Sequence, residues 1–245
     1  MFHTLFYEPI YNLIVVILTI IPLHDIGLAI IVATLIVKLV LLPLNLSALR
    51  TQYAMKRLEP EMNEIKEIQK TKPQEASKMM IEMYKREKVN PFSSLFAVIL
   101  QIPVFFALYF VFSKGLHADP LSLYSFVHFP ESLHTLAFGL FDVTDKKNLS
   151  IAILTGLSSY ALARRQTIDM GKKKHVDEES FQDQFMKSMK VQMLYVLPVI
   201  IGVSAFALPS ALGVYWITSN VIGFAQDVYM KNKLAHLHPD RHSKN

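Results

Sequence analysis

Thr34 and Lys38 stand four residues apart in a run of apolar side chains, and Asn45 follows seven residues after the lysine. At 3.6 residues per turn, these i, i+4 and i+11 positions share one side of a helix. A hydroxyl, an ammonium and an amide so arranged can solvate a polar or acidic group in a medium that offers nothing else. They suit non-covalent recognition rather than nucleophilic catalysis. A lysine near a bilayer centre costs about 2.5–3.5 kcal/mol, while each Leu, Ile or Val around it returns only roughly 0.3–0.6 kcal/mol. Pro43 cannot donate to the carbonyl of Leu39, which leaves an acceptor beside the lysine. A buried ion pair would explain Lys38, yet the other apolar segments supply one carboxylate, Asp227, near the end of the last. The residues therefore favour a lysine solvated in a polar cavity, open to a guest's negative charge. A lysine left neutral by burial is the remaining alternative.

Other apolar segments carry further polar groups. Gln101 precedes Pro103; Thr155, Ser158 and Ser159 cluster; Tyr215, Trp216, Ser219 and Asn220 recur at helical spacing, followed by Gly223 and Gln226. Singly, such residues serve helix packing in membranes. Together they define a candidate substrate-binding groove around Lys38, made of Thr34, Asn45, Gln101, Ser158, Ser159, Tyr215, Trp216, Ser219 and Asn220.

The elements that must position them are membrane helices. Of 245 residues, 52% are hydrophobic and 18% charged, and the mean hydropathy is +0.31, too apolar for a typical soluble domain. The blocks of apolar sequence suit an all-α integral membrane protein with five transmembrane helices at about Gly27–Leu46, Phe92–Phe112, Leu149–Ala163, Val191–Leu208 and Ala211–Tyr229. Between Lys147 and Arg164 the third is too short for an ordinary bilayer core. Pro9 and Pro22 bound a shorter apolar stretch, which reads as an N-terminal interfacial helix within a lead-in over residues 1–26. Basic residues crowd Arg50–Lys88, Arg164–Lys190 and the tail from Lys231, whereas the region from Lys114 to Lys147 is balanced by acids. The expected orientation is N-terminus out, C-terminus in.

Residues 27–230 thus form the core, 231–245 a basic cytoplasmic tail, and 47–90 a cytoplasmic insertion divided at Lys72-Pro73. Met62, Ile65 and Ile68 before that point, and Ala76, Met79, Met80, Met83 and Tyr84 after it, give two apolar stripes and predict an antiparallel helical hairpin. The stripes either pack on each other or leave Met62, Ile65, Met79, Met83 and Tyr84 to dock a partner. Asn90-Pro91 supplies a cap and a first-turn proline for the next helix.

Several functions find no support. There is no cysteine, which excludes disulfides, thiolate metal sites and cysteine catalysis. GLSSY, from Gly156 to Tyr160, lacks the last glycine of a nucleophile elbow. His117, His128 and His134 lack a metal-ligand motif. No cofactor, no DNA partner and no enzymatic activity are expected, and the start of the chain does not read as a cleaved signal peptide. The run Lys172–His175 and the tail can meet ribosomal RNA, or simply fix topology and attract anionic lipid. A small transporter or channel using the intramembrane lysine is the rival class.

The stretches IGLAIIVATLIVKLVLLPLNL with LEPEMNEI, VNPFSSLFAVILQIPVFFALYFVF, and LPSALGVYWITSNVIGFAQ, in that order around the helical hairpin, resemble the YidC insertases of bacteria with the Oxa and Alb proteins of organelles. The likeness covers about residues 8–230. It implies a membrane insertase in the bacterial plasma membrane, of minimal form without a large outer domain. It further implies a positively charged groove that receives nascent membrane proteins, and contacts with lipid, the ribosome, the signal recognition particle receptor and the Sec translocon. The groove charge in this family is usually an arginine; Lys38 holds that position here. The amide many relatives carry in the third span is replaced by the hydroxyls of Ser158 and Ser159.

Overall fold

Prolines open many of the helices in the computed structural model, which describes residues 1–21, 24–87, 89–90, 92–113, 116, 119, 121–130, 133, 135–168, 188 and 191–237. Pro22, Pro91, His117, His134, Lys172–His175 and the tail after residue 237 lie outside the described residues. In chain order the elements are α1 Glu8–Ile20, α2 Ile26–Val40, α3 Leu42–Arg57, α4 Glu59–Thr71, α5 Pro73–Arg86 and α6 Phe92–Ser113. A hairpin of β1 Leu136–Ala137 and β2 Phe141–Asp142 follows, then α7 Leu149–Ile168, α8 Leu197–Ala207 and α9 Ser210–Leu237. Pro9, Pro43, Pro60, Pro73 and Pro198 each sit in the first turn of a helix, where the missing N–H has no intrahelical acceptor. Before Pro9 and Pro198 the chain widens into π-helical turns, His3–Tyr7 and Gln192–Val196.

The chain forms two compact units. One holds Met1–Val40, Gln101–Ile168 and the stretch ending at Ala225; the other holds Leu41–Leu100 and the chain from Gln226.

The first unit is built around α1. Ile14, Val15 and Leu18 are fully buried against a core that includes Ile30 of α2, Val111 of α6 and Leu212 of α9. The short interfacial helix expected between Pro9 and Pro22 is longer than that, because the π turn carries the helical path back past Pro9. His3–Ile20, 18 residues, is among the described residues the one uninterrupted helix long and apolar enough to cross a membrane. The span expected over Gly27–Leu46 is broken at Leu41, where Pro43 cannot continue the hydrogen-bond ladder; α2 and α3 meet the same criterion only together. The third helix is not curtailed at Arg164. It runs for 20 residues to Ile168, with the Arg165 guanidinium 5.0 Å from the Phe224 ring centre. α7 and α8 approach closely through glycine: a Cβ on Gly202 would lie 3.3 Å from the Ala152 carbonyl and 3.4 Å from Gly156 Cα.

Exposed large apolar side chains cover these helices, among them Leu35 and Leu39 on α2, Phe106 on α6, Leu154 on α7, and Val199 and Val203 on α8. Water would penalise so much apolar surface, and lipid would not.

The small β-hairpin is an element the all-helical expectation left out. Its turn is closed by Leu140 N–H donating to Ala137 C=O at 2.9 Å, and its central residues are Phe138 and Gly139. Phe-Gly is a weak turn signal beside Asn-Gly. Asp142 of β2 feels two opposed influences. Burial raises its pKa, but hydrogen bonds from the Thr135 hydroxyl and from the hydroxyl and N–H of Thr144 outweigh that, holding the carboxyl below its ordinary range. A carboxyl depressed by folding contributes stability in full above its unfolded pKa, about 4, and loses it as pH falls through the folded value. In Thr144→Val, which removes the 2.6 Å hydroxyl donor, the Asp142 titration followed by carboxyl NMR should shift to higher pH. An unchanged midpoint would refute the account.

In the second unit α4 and α5 form the antiparallel hairpin expected from the two stripes, with Ile65, Ala76 and Met83 buried between them. Arg86 pairs with Glu61 at 2.6 Å across the hairpin, and Arg57 pairs with Glu87. Both are exposed pairs worth little individually. Asn90 Oδ1 accepts the N–H of Phe92 at 3.0 Å, capping α6 as its sequence suggests. The Tyr53 hydroxyl donates to Asp227 at 2.8 Å, so the carboxylate near the end of the last helix is held by a phenol.

Candidate functional site

Lys38 lies two residues before the end of α2, on a helix whose neighbouring side chains are apolar, some packed against other helices and some exposed. It is half-buried, and its Nζ donates to Gln101 Oε1 at 3.4 Å. That is looser than the 2.7–2.9 Å of a strong charged hydrogen bond. Within this unit and among the described residues, no carboxylate forms an ion pair with Lys38. Gln101 is the only side chain among them to which it hydrogen-bonds.

Beyond Gln101, two further pairs link α6 to α9 and α9 to α7. One turn further along α6, Phe105 stacks on Trp216 of α9 with centroids 5.0 Å apart. One turn beyond Trp216, the Asn220 amide donates to Ser158 Oγ at 3.0 Å and to Ser159 Oγ at 2.9 Å, both on α7. Gly213 allows α9 this close approach, since a Cβ there would fall 2.2 Å from Ile151 Cγ2 and 3.2 Å from Thr155 Oγ1. The sequence thus joins a cation, amides, hydroxyls and an indole through α2, α6, α9 and α7. Such a line offers hydrogen-bond donors and acceptors to a polar chain segment.

The remaining candidates divide. The Thr34 hydroxyl is buried and spends its proton on the Ile30 carbonyl one turn back, at 2.6 Å. Tyr215 is buried, and Ser219 lies one turn further along α9. Asn45 shares a face with Lys38 only where the helix is unbroken. The break at Leu41 falls between Lys38 and Asn45, so helical register no longer aligns them. Asn45 belongs to the second unit, where its buried Nδ2 makes no hydrogen bond among the described residues. Of the five docking candidates, Ile65 and Met83 are buried in the α4–α5 hairpin, Met62 and Tyr84 pack partly against them, and Met79 is exposed. Mutual packing accounts for four of the five. Phe105 carries no polar group to single it out in the sequence, yet it stands four residues after Gln101, the spacing that separates Thr34 from Lys38.

Residues 11–237 match the family described as 60Kd inner membrane protein. That covers nearly the whole described chain. The chain belongs to this family, the YidC/Oxa family. The membrane protein insertase YidC of Oceanobacillus iheyensis is 30% identical over 203 residues, 80% of this chain and 70% of the relative. That of Clostridium tetani is 29% identical over 210 residues, 86% of this chain and 83% of the relative. The YidC of Geobacter metallireducens is 29% identical over 214 residues, 86% of this chain, but the match spans only 34% of that longer protein. This YidC-family chain therefore corresponds to most of the shorter relatives and to about a third of the longer one. Membership accounts for apolar helices with exposed apolar faces, since the homologues are membrane proteins.

Proposed function

We propose that this protein is a membrane protein insertase of the bacterial plasma membrane, which receives short transmembrane segments from the cytoplasm and releases them into lipid. The observation that carries this is Lys38: a half-buried ammonium, held loosely by one amide, at the start of a polar line through helices whose outer faces are apolar. Moving a hydrophilic flank through hydrocarbon is costly because its polar groups lose water. The protein lowers that barrier by transient solvation: Lys38 attracts acidic residues of the flank, while Gln101, Ser158, Ser159, Ser219 and Asn220 exchange hydrogen bonds with it. No covalent step is needed, and the guest's apolar helix leaves sideways along the exposed faces of α7 and α9.

In this reading the chain crosses the bilayer five times, through the broken α2–α3 segment, α6, α7, α8 and α9, with its N-terminus outside and its C-terminus inside. The α4–α5 hairpin stands in the cytoplasm, where Met79 remains free to meet a guest or its delivery machinery. Ribosome, signal recognition particle receptor and Sec translocon are the delivery partners consistent with the family.

Photo-crosslinkers at positions 38, 101 and 216 should each trap a stalled nascent membrane protein, while one at Ile65, inside the hairpin, should not. Failure of all three positions to crosslink, or solute flux through purified vesicles without any guest, would sink the reading in favour of a transporter.

A further inference from the structure

The β1–β2 turn combines a sterically disfavoured backbone with apolar side chains that water would oppose. Phe138 and Gly139 have φ of 54° and 68°, the left-handed region where a bulky aromatic is disfavoured and Asn or Gly is the usual choice. Having adopted that conformation, Phe138 is then left 45% exposed, with Leu136 52% and Leu140 80% exposed beside it. From Leu136 to Phe141 the chain carries no charge and no side chain that can hydrogen-bond.

The turn is also fixed in place. Asp25 Oδ1 caps the first turn of α2 by accepting Leu28 N–H at 2.8 Å, and its Oδ2 accepts Phe138 N–H at 2.6 Å. The Phe138 ring lies against Gly27, where an added Cβ would be only 2.9 Å from Phe138 Cε2. β2 continues into Val143, which bonds to Thr135 and accepts Ala211 N–H at 2.8 Å. The exposure of Phe138 and Leu140 is thus a property of a clamped turn on the core.

We propose that this turn is a membrane anchor, with Phe138 and Leu140 seated in the lipid interface at the N-terminal end of α2. The apolar surface it would join is already present, since Leu28, next to Gly27, is exposed on the same turn of α2 and Leu35 and Leu39 continue that helix's exposed apolar face. Lipid rather than a protein partner is favoured because the patch offers no donor, acceptor or charge by which a partner could be selected. Seating is apolar, so it is insensitive to salt. Its effect is to fix the depth of α2, and with it the depth of Lys38, in the bilayer. The inference rests on the core being embedded in lipid and is independent of the insertase activity.

The test uses the full chain in a Trp216→Phe background, reconstituted into phosphatidylcholine vesicles, with a single tryptophan introduced as Leu140→Trp or, as a reference on the exposed face of α7, as Leu154→Trp. Brominated acyl chains should quench both, and iodide on both sides of the vesicle should leave Leu140→Trp largely unaffected at low and high salt. If Leu154→Trp is quenched by bromolipid but Leu140→Trp is quenched by iodide instead, the anchor is overturned while the membrane reading stands. If neither quencher reaches position 140, a protein such as a second copy covers the turn, and the anchor is again overturned. An unquenched Leu154→Trp would remove the membrane reading and the anchor with it.

Discussion

Lys38→Leu should lower insertion of guests with acidic translocated flanks by about tenfold or more, and Lys38→Arg should retain insertion. Two unit charges 4 Å apart attract by about 4 kcal/mol at an effective dielectric of 20. If desolvation of the guest consumes half, about 2 kcal/mol of barrier lowering is left, and each 1.4 kcal/mol is a factor of ten in rate. Lys38 has already lost much of its own water by being half-buried beside Gln101, without a carboxylate among the described residues to recover the loss. A guest's acid supplies what the resting protein lacks. Leucine removes the attraction but suits the apolar surroundings of α2, so expression and folding should survive and insertion can be compared at matched protein levels. Arginine keeps the charge and adds a planar fork able to hold a carboxylate by two bonds. Guests with neutral flanks should be affected much less. The electrostatic role fails if the leucine variant inserts acidic and neutral guests in the same ratio as the unaltered protein.

Much of this was legible because proline and periodicity carry local meaning. Lys72-Pro73 divides the hairpin, Asn90 caps α6, and the stripes holding Ile65 and Met83 do pack together, all from rules that operate within a few residues. The polar residues of the candidate site were legible as types: Lys38, Gln101, Ser158, Ser159 and Asn220 were conspicuous in apolar surroundings. Their partners were not, since a helix periodicity says which face is polar and not which helix that face meets. Hence the Phe105–Trp216 stack and the bridge from Asn220 to the paired serines emerge only in three dimensions. Pro43 was read as freeing one carbonyl, whereas the chain uses it to start a new helix after Leu41, and the alignment of Asn45 with Lys38 went with that break. The depth of α1 in the core is hidden for a similar reason: two prolines bound a short apolar stretch in the sequence, and the π turn that lengthens the helix has no sequence signal of its own.

Asn12→Leu should be the most damaging single change in the N-terminal helix. Asn12 is 3% exposed, and its amide group makes three hydrogen bonds. Nδ2 donates to the Glu8 carbonyl at 2.8 Å and to the Ser122 carbonyl at 2.7 Å, and Oδ1 accepts Tyr124 N–H at 2.8 Å. Two of these reach backbone more than 100 positions away, so one side chain fastens the loop around Ser122 to α1, assisted by Asp119 N–H donating to the Tyr11 hydroxyl at 3.1 Å. Leucine keeps the forked shape of asparagine with the same number of heavy atoms, yet it leaves the Ser122 carbonyl and the Tyr124 N–H without that partner, and each buried unsatisfied group costs about 1–3 kcal/mol. A loss of roughly 2–5 kcal/mol follows, a large share of the stability of an ordinary domain. Thermal unfolding in detergent should fall by many degrees, and protease should cut within 121–130 before anywhere in α2 or α9. The predicted order of cleavage separates this from a general packing defect: loss of the Asn12 bonds frees the loop first, whereas a disturbed core would open α1, α2 and α9 together. Thermal stability unchanged by the leucine substitution would mean that the loop is held by something other than Asn12.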